Sequence, residues 1–454
     1  MEREKLGSRL GFILLSAGCA IGIGNVWRFP YITGLYGGGI FVLFYLFFLI
    51  IMGIPVMTME FAVGRASRKS IIKSFGEMEK PGQKWHLHGY LGMAGNYLLM
   101  MFYTSVAGWM LYYFYQMLTG KFTGKTTAQV GSMFNEMLGN PLVMTVCMVI
   151  VVAAGILVCS LGLQKGVERI TKWMMSALLL IIVVLAVKSI SLDGGMEGLK
   201  FYLVPDLERT LEVGLLDCIV AAMNQSFFTL SLGIGAMAIF GSYIGKDRTL
   251  LGESINIAIL DTFVAVVAGL IIFPACFSFG ISPDQGPSLI FVTLPNVFNA
   301  MAGGRIWGSL FFIFMAFAAF STVLAVFENI VSCGMDMFGW NRKKSCKVNF
   351  VAILLLSMPC VLGYNVWSGF QPLGEGTTIL DLEDFLVSNL ILPFGSLWYL
   401  LFCVSGKGWG FENYLAEANE GKGVKVPKWI RFYVKWILPV ILAVLMLQGI
   451  WAKF

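Results

Sequence analysis

The chain is 454 residues long, 57% of them hydrophobic and 13% charged, with a formal net charge of +6 and a mean hydropathy of +0.79. That composition excludes a single soluble core of this size and points to an all-α polytopic membrane protein, since lipid leaves only helices and closed barrels as spanning structures. It also excludes a nucleic-acid surface, because most of the 32 Lys and Arg fall in short segments between apolar runs and form no single patch.

Eleven spans are expected, at roughly 8–35, 39–64, 89–118, 141–160, 168–188, 214–241, 251–280, 305–338, 348–364, 382–404 and 430–451. The first has no small-residue cleavage site and is read as a span, not a signal peptide. It contains the run Gly18-Cys19-Ala20-Ile21-Gly22-Ile23-Gly24-Asn25-Val26-Trp27-Arg28-Phe29-Pro30. Three glycines, an amide and an arginine at membrane depth predict a broken helix. Irregular backbone survives there only where it lines an enclosed cavity, and its freed carbonyls can take a cation. The competing reading is close helix packing through the small-xxx-small pair Gly18 and Gly22.

Glu60 lies in the second span, expected either to hydrogen-bond unwound backbone or to pair with another helix. His86 and His88 follow in a basic loop, an isolated His-x-His without further metal ligands. The sixth span repeats the break of the first with Phe227-Phe228-Thr229-Leu230-Ser231-Leu232-Gly233-Ile234-Gly235. Interruptions at matching positions of two halves point to an inverted-repeat transporter with its site between the halves. Asp261 in the seventh span and Ser321-Thr322 in the eighth are further intramembrane polar groups. An Asp there is either functional or paired structurally, and the hydroxyls are either ligands or bonded to their own preceding turn. Nine cysteines scattered through apolar spans read as small core hydrophobes. Lys and Arg concentrate at the N-terminus and in 65–88, 160–172, 246–248, 342–347 and 407–431. By the positive-inside bias these segments are cytoplasmic, which puts the C-terminus outside the cell (inner) membrane.

The run Gly24-Asn25-x-Trp27-Arg28-Phe29-Pro30 followed by Gly37-Gly38-Gly39 resembles the first transmembrane segment of the neurotransmitter:sodium symporters, the LeuT-type family. The likeness continues through Met59-Glu60-Phe61-Ala62-Val63-Gly64-Arg65, Gly166-Val167-Glu168 with Lys172, and the outer hairpin Gly286 to Pro295. It implies a 5+5 inverted repeat with helices 1 and 6 broken. The first repeat would be 1–210, the second 211–404, and 405–454 would hold a cytoplasmic loop and an eleventh helix, as in a prokaryotic member.

The resemblance further implies two Na+ sites. One would use Ala20, Asn25, Thr229 and Asp261; the other Gly18, Ile21, Ala318, Ser321 and Thr322. Chloride-dependent members commonly have Asn where this chain has Asp261, and Ser where it has Ala265. Tyr45, Gln225 and Thr229 resemble other parts of the chloride site. The carboxylate is therefore expected to replace the anion, and no chloride is expected. Gly22 stands where amine-transporting members carry Asp, so the substrate is expected to bring its own carboxylate. That group would meet Ile23, Gly24 and Tyr103, and the ammonium the carbonyls of Ala20, Phe228, Thr229 and Ser231. The side chain would lie among Cys19, Ile23, Leu99, Phe228, Ile234, Thr322, Ala325 and Val326, a set without charge. Arg28 with Asp384 resembles the outer gate, and Arg3 with Asp336 near Tyr243 the inner gate. One departure is Ser176, where members often have a proline ten residues after Gly166.

The expected function is sodium-coupled import of an apolar or aromatic L-amino acid by alternating access, without a nucleic-acid or obligate protein partner. An amino-acid-sensing receptor, or an amine or indole transporter on the same fold, is the alternative. An enzyme is not expected, because the two histidines share one loop and no HExxH or GxSxG occurs.

Overall fold

The computed structural model describes residues 4–280 and 289–451. Among these, eight helices are long and apolar enough to cross a membrane, and up to ten if each sharply bent pair is one span. In chain order the elements that matter here are α1 (Arg9–Ala20), α2 (Gly24–Leu35), α3 (Gly39–Ser67), α4 (Leu87–Leu118), α5 (Pro141–Ser160), α6 (Leu163–Ile190), α7 (Leu215–Phe228), α8 (Ala236–Gly241), α9 (Leu250–Ser278), α10 (Leu289–Ala300), α11 (Gly304–Phe338), α12 (Arg342–Leu362), α13 (Ile379–Val404) and α14 (Ile430–Trp451). The 32-residue α4 is long enough to span but is studded with polar and aromatic groups.

Prolines shape these helices in a repeated way. Pro30, Pro55, Pro295, Pro393 and Pro439 each follow a wide turn, closed for instance by Phe29 N–H on Gly24 O and Ile54 N–H on Leu49 O. A proline has no N–H and its ring crowds the carbonyl four residues back, so the turn before it opens to i→i+5 bonding. The first break is different. Ile21 leaves the helix in extended conformation and α2 resumes at 57° to α1. In the sixth span Ser231 takes a left-handed φ of 50°, and Gly233 and Gly235 have φ of 100° and 78°, so residues 229–235 cannot continue a helix.

One boundary differs from the sequence expectation, and two local features add to it. The ninth span was expected from about 348, but helix α12 begins at Arg342, because the Asn341 side chain accepts the Lys344 N–H and caps it. The loop after α4 contains a helix at Thr127–Gly139, started by a reciprocal Thr126–Gln129 capping box. Helix α6 runs unbroken past Ser176, whose hydroxyl donates back to Lys172 O at 2.8 Å, after a wide turn at Leu163–Glu168.

Long central α11 packs along α1, α4, α5 and α6, and α9 lies against α3 and α6, so both breaks are enclosed by protein. Outside them Phe291 of α10 is held among Trp27, Trp109, Tyr113 and Phe134, with ring centroids 5.0–6.0 Å apart. Residues 281–288, which include Gly286, lie outside the described residues, as does Arg3.

Candidate functional site

The two breaks face each other, and buried oxygen atoms gather on both sides of the first. On one side the Ser321 hydroxyl lies 2.8 Å from Gly18 O, 2.9 Å from Ala318 O and 3.4 Å from Ile21 O. The Thr322 hydroxyl lies 3.4 Å from Gly18 O and Cys19 O and 3.5 Å from Ile21 O. Two hydroxyl protons cannot satisfy the three carbonyls of Gly18, Cys19 and Ile21 at the break, so lone pairs are in excess at a buried point. Such a surplus suits a hard cation, which prefers oxygen ligands. The Ser321–Ala318 contact is also the back-bond expected of a helical serine, and both readings of that residue describe the geometry.

On the other side Asp261 is fully buried. Its carboxylate accepts the Asn25 amide N–H at 2.8 Å and the Thr229 hydroxyl at 2.9 Å; the same amide reaches Thr229 Oγ1 at 3.0 Å. As placed, the Asn25 amide turns its nitrogen toward Asp261 and its oxygen toward Gly22 N–H, at 3.2 Å. Rotating the amide by half a turn would present the oxygen instead. Ala20, five residues before Asn25 in the sequence, is buried. Gln225, on the helix before the sixth break, donates to Gly24 O at 3.3 Å, and Ala265 is fully buried.

Between the clusters Tyr103 accepts the Ile23 N–H at 3.0 Å. A Cβ on Gly22 would lie 2.4 Å from that hydroxyl and 2.9 Å from Thr322 Oγ1, so even alanine does not fit without movement. Outward of this point is a cavity of about 230 Å³, of which Ile23, Gly24, Leu99, Tyr103 and Phe228 form the inner end. Trp27, Tyr31, Phe102, Val106 and Leu380, which the sequence reading did not select, continue it outward. Cys19, Ala20, Ser231, Ile234, Thr322, Ala325 and Val326 do not line this cavity. Ser231 is half-buried and the others are buried. Ile234 packs instead toward Gly95 of α4.

Arg28 and Asp384 both border the cavity, yet they form no ion pair within 4.0 Å among the described residues. The guanidinium lies over the Phe228 ring, 4.2 Å from its centroid, and the Asp384 carboxylate accepts the Ser388 hydroxyl at 2.7 Å. The two charges are therefore near each other but not paired.

The opposite end, where the N-terminal segment lies, is held tightly. Asp336 accepts the Ser70 N–H at 2.7 Å; the Arg3 expected beside it lies outside the described residues. Tyr243 donates to Glu328 at 2.6 Å, and Arg342 grips the same fully buried carboxylate with two N–H bonds of 2.7 and 2.9 Å while also reaching Glu4. Sequence reasoning missed Glu328. Its signal was an acid directly after the apolar run Ala325-Val326-Phe327, within a span and upstream of a basic segment. Glu168 accepts Gly7 N–H at 2.7 Å and the Ser8 hydroxyl at 2.9 Å, tying the N-terminal segment to the start of α6.

The sixth break is clasped from outside. Glu60 accepts Gly233 N–H at 3.0 Å and Met237 N–H at 3.1 Å, which selects the unwound-backbone reading of that acid. His88 meets Gly233 O at 3.0 Å, and Asn96 and Asn329 donate to Ile234 O. His86 instead pairs with Glu79, so the two histidines serve different partners.

The sequence profile of the Sodium:neurotransmitter symporter family matches residues 3–136 and 127–453. The chain is 36% identical, over 87% of its length and 86% of the relative's, to an uncharacterized sodium-dependent transporter, YhdH, of Bacillus subtilis (strain 168). It is 29% identical to the mouse (Mus musculus) sodium-dependent neutral amino acid transporter B(0)AT2, over 60% of this chain and 40% of that one. Among solved structures it resembles MhsT in complex with L-phenylalanine, with a TM-score of 0.87 and 36% identity, covering 99% of this chain and all of that one.

Proposed function

The chain belongs to the sodium:neurotransmitter symporter family, a sodium-dependent transporter on a LeuT-type helical fold and not an enzyme, and from that premise we propose that it imports an apolar or aromatic L-amino acid by alternating access. The observation that carries the substrate class is the packing of Gly22. With the Tyr103 and Thr322 hydroxyls against it, the first break has neither an anionic side chain nor room for one, so an amine would lack a counter-charge there. An amino acid supplies its own carboxylate, for which the Ile23 and Gly24 amides and the Tyr103 hydroxyl are donors. Its ammonium would face the carbonyls of Ala20, Phe228, Thr229 and Ser231. MhsT was solved with L-phenylalanine, and the mouse relative is named for neutral amino acids, in keeping with this reading.

In this proposal Na+ is a co-substrate held at two places. Ser321, Thr322 and the carbonyls of Gly18, Ile21 and Ala318 form one; Asn25, Thr229, Asp261 and the Ala20 carbonyl form the other. Asp261 supplies a fixed negative charge and Ala265 withholds a hydroxyl, so transport runs without chloride. The chain crosses the inner membrane eleven times, as repeats 1–210 and 211–404 with an added helix, its N-terminus cytoplasmic. Outer closure brings Arg28 and Asp384 together over Phe228. Inner opening releases the groups around Asp336, Glu328 and Tyr243. Two sodium charges crossing about 100 mV yield about 4.6 kcal/mol, at about 2.3 per charge. At about 1.4 kcal/mol per decade that sustains roughly thousand-fold accumulation.

The test is uptake of labelled L-phenylalanine and L-leucine into proteoliposomes under an imposed sodium gradient, beside a thermal-shift screen of the twenty amino acids with and without sodium. Concentrative uptake that collapses with the gradient supports the proposal. Current without accumulation, or binding without flux, overturns it.

A further inference from the structure

Away from the polar axis, the lipid-facing side of the molecule carries a groove of about 610 Å³ between α5 and α12. Ile156 and Leu157 form one wall, Phe350 and Val351 the other, and Lys343 and Lys347 stand at its mouth. On each helix these residues recur at three- and four-residue spacing, so each presents a single face to the groove. Leu157 is 63% and Val351 54% exposed, within segments apolar enough to span a bilayer.

The charge at the mouth is unbalanced. Lys343 and Lys347 are like charges four residues apart, a mildly repulsive arrangement on a helix. Neither forms an ion pair among the described residues, and no acidic residue lines the groove. Their basic neighbours are engaged elsewhere: Arg342 with Glu328 and Glu4, and Lys344 over the Trp340 ring at 5.3 Å. A pair of free cations above an apolar channel is complementary to one kind of molecule. It must carry negative charge at the membrane surface and hydrocarbon beneath it.

We propose that this groove binds an anionic phospholipid, Lys343 and Lys347 holding its phosphate and one acyl chain lying between Ile156, Leu157, Phe350 and Val351. From Lys343 to Val351 the helix rises about 12 Å at about 1.5 Å per residue. That is most of the ~15 Å depth of one leaflet's hydrocarbon. The site joins the outer surfaces of α5 and α12, and α12 carries the Arg342 that grips buried Glu328. The proposal does not depend on which solute is transported.

The test is native mass spectrometry of the full-length protein in detergent, titrated with dioleoyl-phosphatidylglycerol or dioleoyl-phosphatidylcholine. Two lysines predict retention of one phosphatidylglycerol with about thirty-fold preference over phosphatidylcholine. K343Q/K347Q should bring that preference close to unity, and K343R/K347R should keep it. Leu157→Trp should lower retention of the lipid by filling the channel. Equal retention of the two lipids, or an undiminished preference in K343Q/K347Q, would overturn the proposal. So would displacement of the lipid by free glycerol phosphate, which would mark a headgroup site without a chain, or a protein dimer that Leu157→Trp dissolves, which would put a second copy in the groove.

Discussion

Gly22→Ala is the smallest change that tests how the first break reads its substrate. The added methyl would sit 2.4 Å from Tyr103 Oη, where carbon contacts settle near 3.5 Å, so the hydroxyl must retreat by about 1 Å. That retreat breaks its 3.0 Å bond with Ile23 N–H, at a cost of about 1 kcal/mol. Overpacking at a closed site adds about 1–3 kcal/mol. The free protein relieves the clash by moving the Tyr103 hydroxyl away and binding must bring it back, so the sum, about 2–4 kcal/mol, falls on the bound state and predicts a loss of about one and a half to three decades in amino-acid affinity. Equilibrium binding in detergent at saturating sodium, with the amino acid giving the largest thermal shift, measures it. Retained stabilisation by sodium alone shows that the variant is folded. The structure also specifies the compensation. Without its hydroxyl the nearest atom of ring 103 is Cζ, at 3.7 Å, an ordinary contact. Tyr103→Phe weakens binding on its own by removing a donor. Combined with Gly22→Ala it should cost less than the sum of the two, by at least about 1 kcal/mol in a double-mutant cycle. Additive losses, or a Gly22→Ala affinity within threefold of wild type, would refute the reasoning.

Ser321→Ala with Thr322→Ala should abolish sodium-dependent uptake and reduce stabilisation by sodium in a melting assay; unchanged sodium dependence would remove the second cation site. Wild-type uptake should be equal in sodium gluconate and sodium chloride, while Asp261→Asn with Ala265→Ser should be slower and chloride-dependent. Chloride dependence of the unmodified protein would return Asp261 to a structural role. Arg342→Gln leaves Glu328 buried with half its partners, and should cost about 3–5 kcal/mol and lower Tm in proportion. Glu328→Gln added to it should restore most of that loss, and a double variant no more stable than Arg342→Gln would contradict a paired charge.

The long apolar helices, the two breaks and the placement of glycine and proline were legible in the sequence because their causes are local. An apolar run long enough for a bilayer, a proline without an N–H, or a glycine at positive φ acts on its own turn, whatever packs against it. The oxygen clusters were legible at one remove, through Asn25, Asp261 and Ser321-Thr322 standing where lipid would not tolerate them. What the tertiary structure decided is which distant partners meet. Glu60 could have served any neighbouring helix, and only the fold brings it to Gly233, 173 residues away. Glu328 finds Arg342 because Asn341 caps α12 early enough to turn that arginine back onto α11. The position of the cavity, outward of half the residues chosen for it, likewise depends on how α4, α7 and α13 close around Phe228. A buried polar group must be satisfied, but its own sequence does not say by whom, since every donor within reach is chosen by packing between helices far apart in the chain.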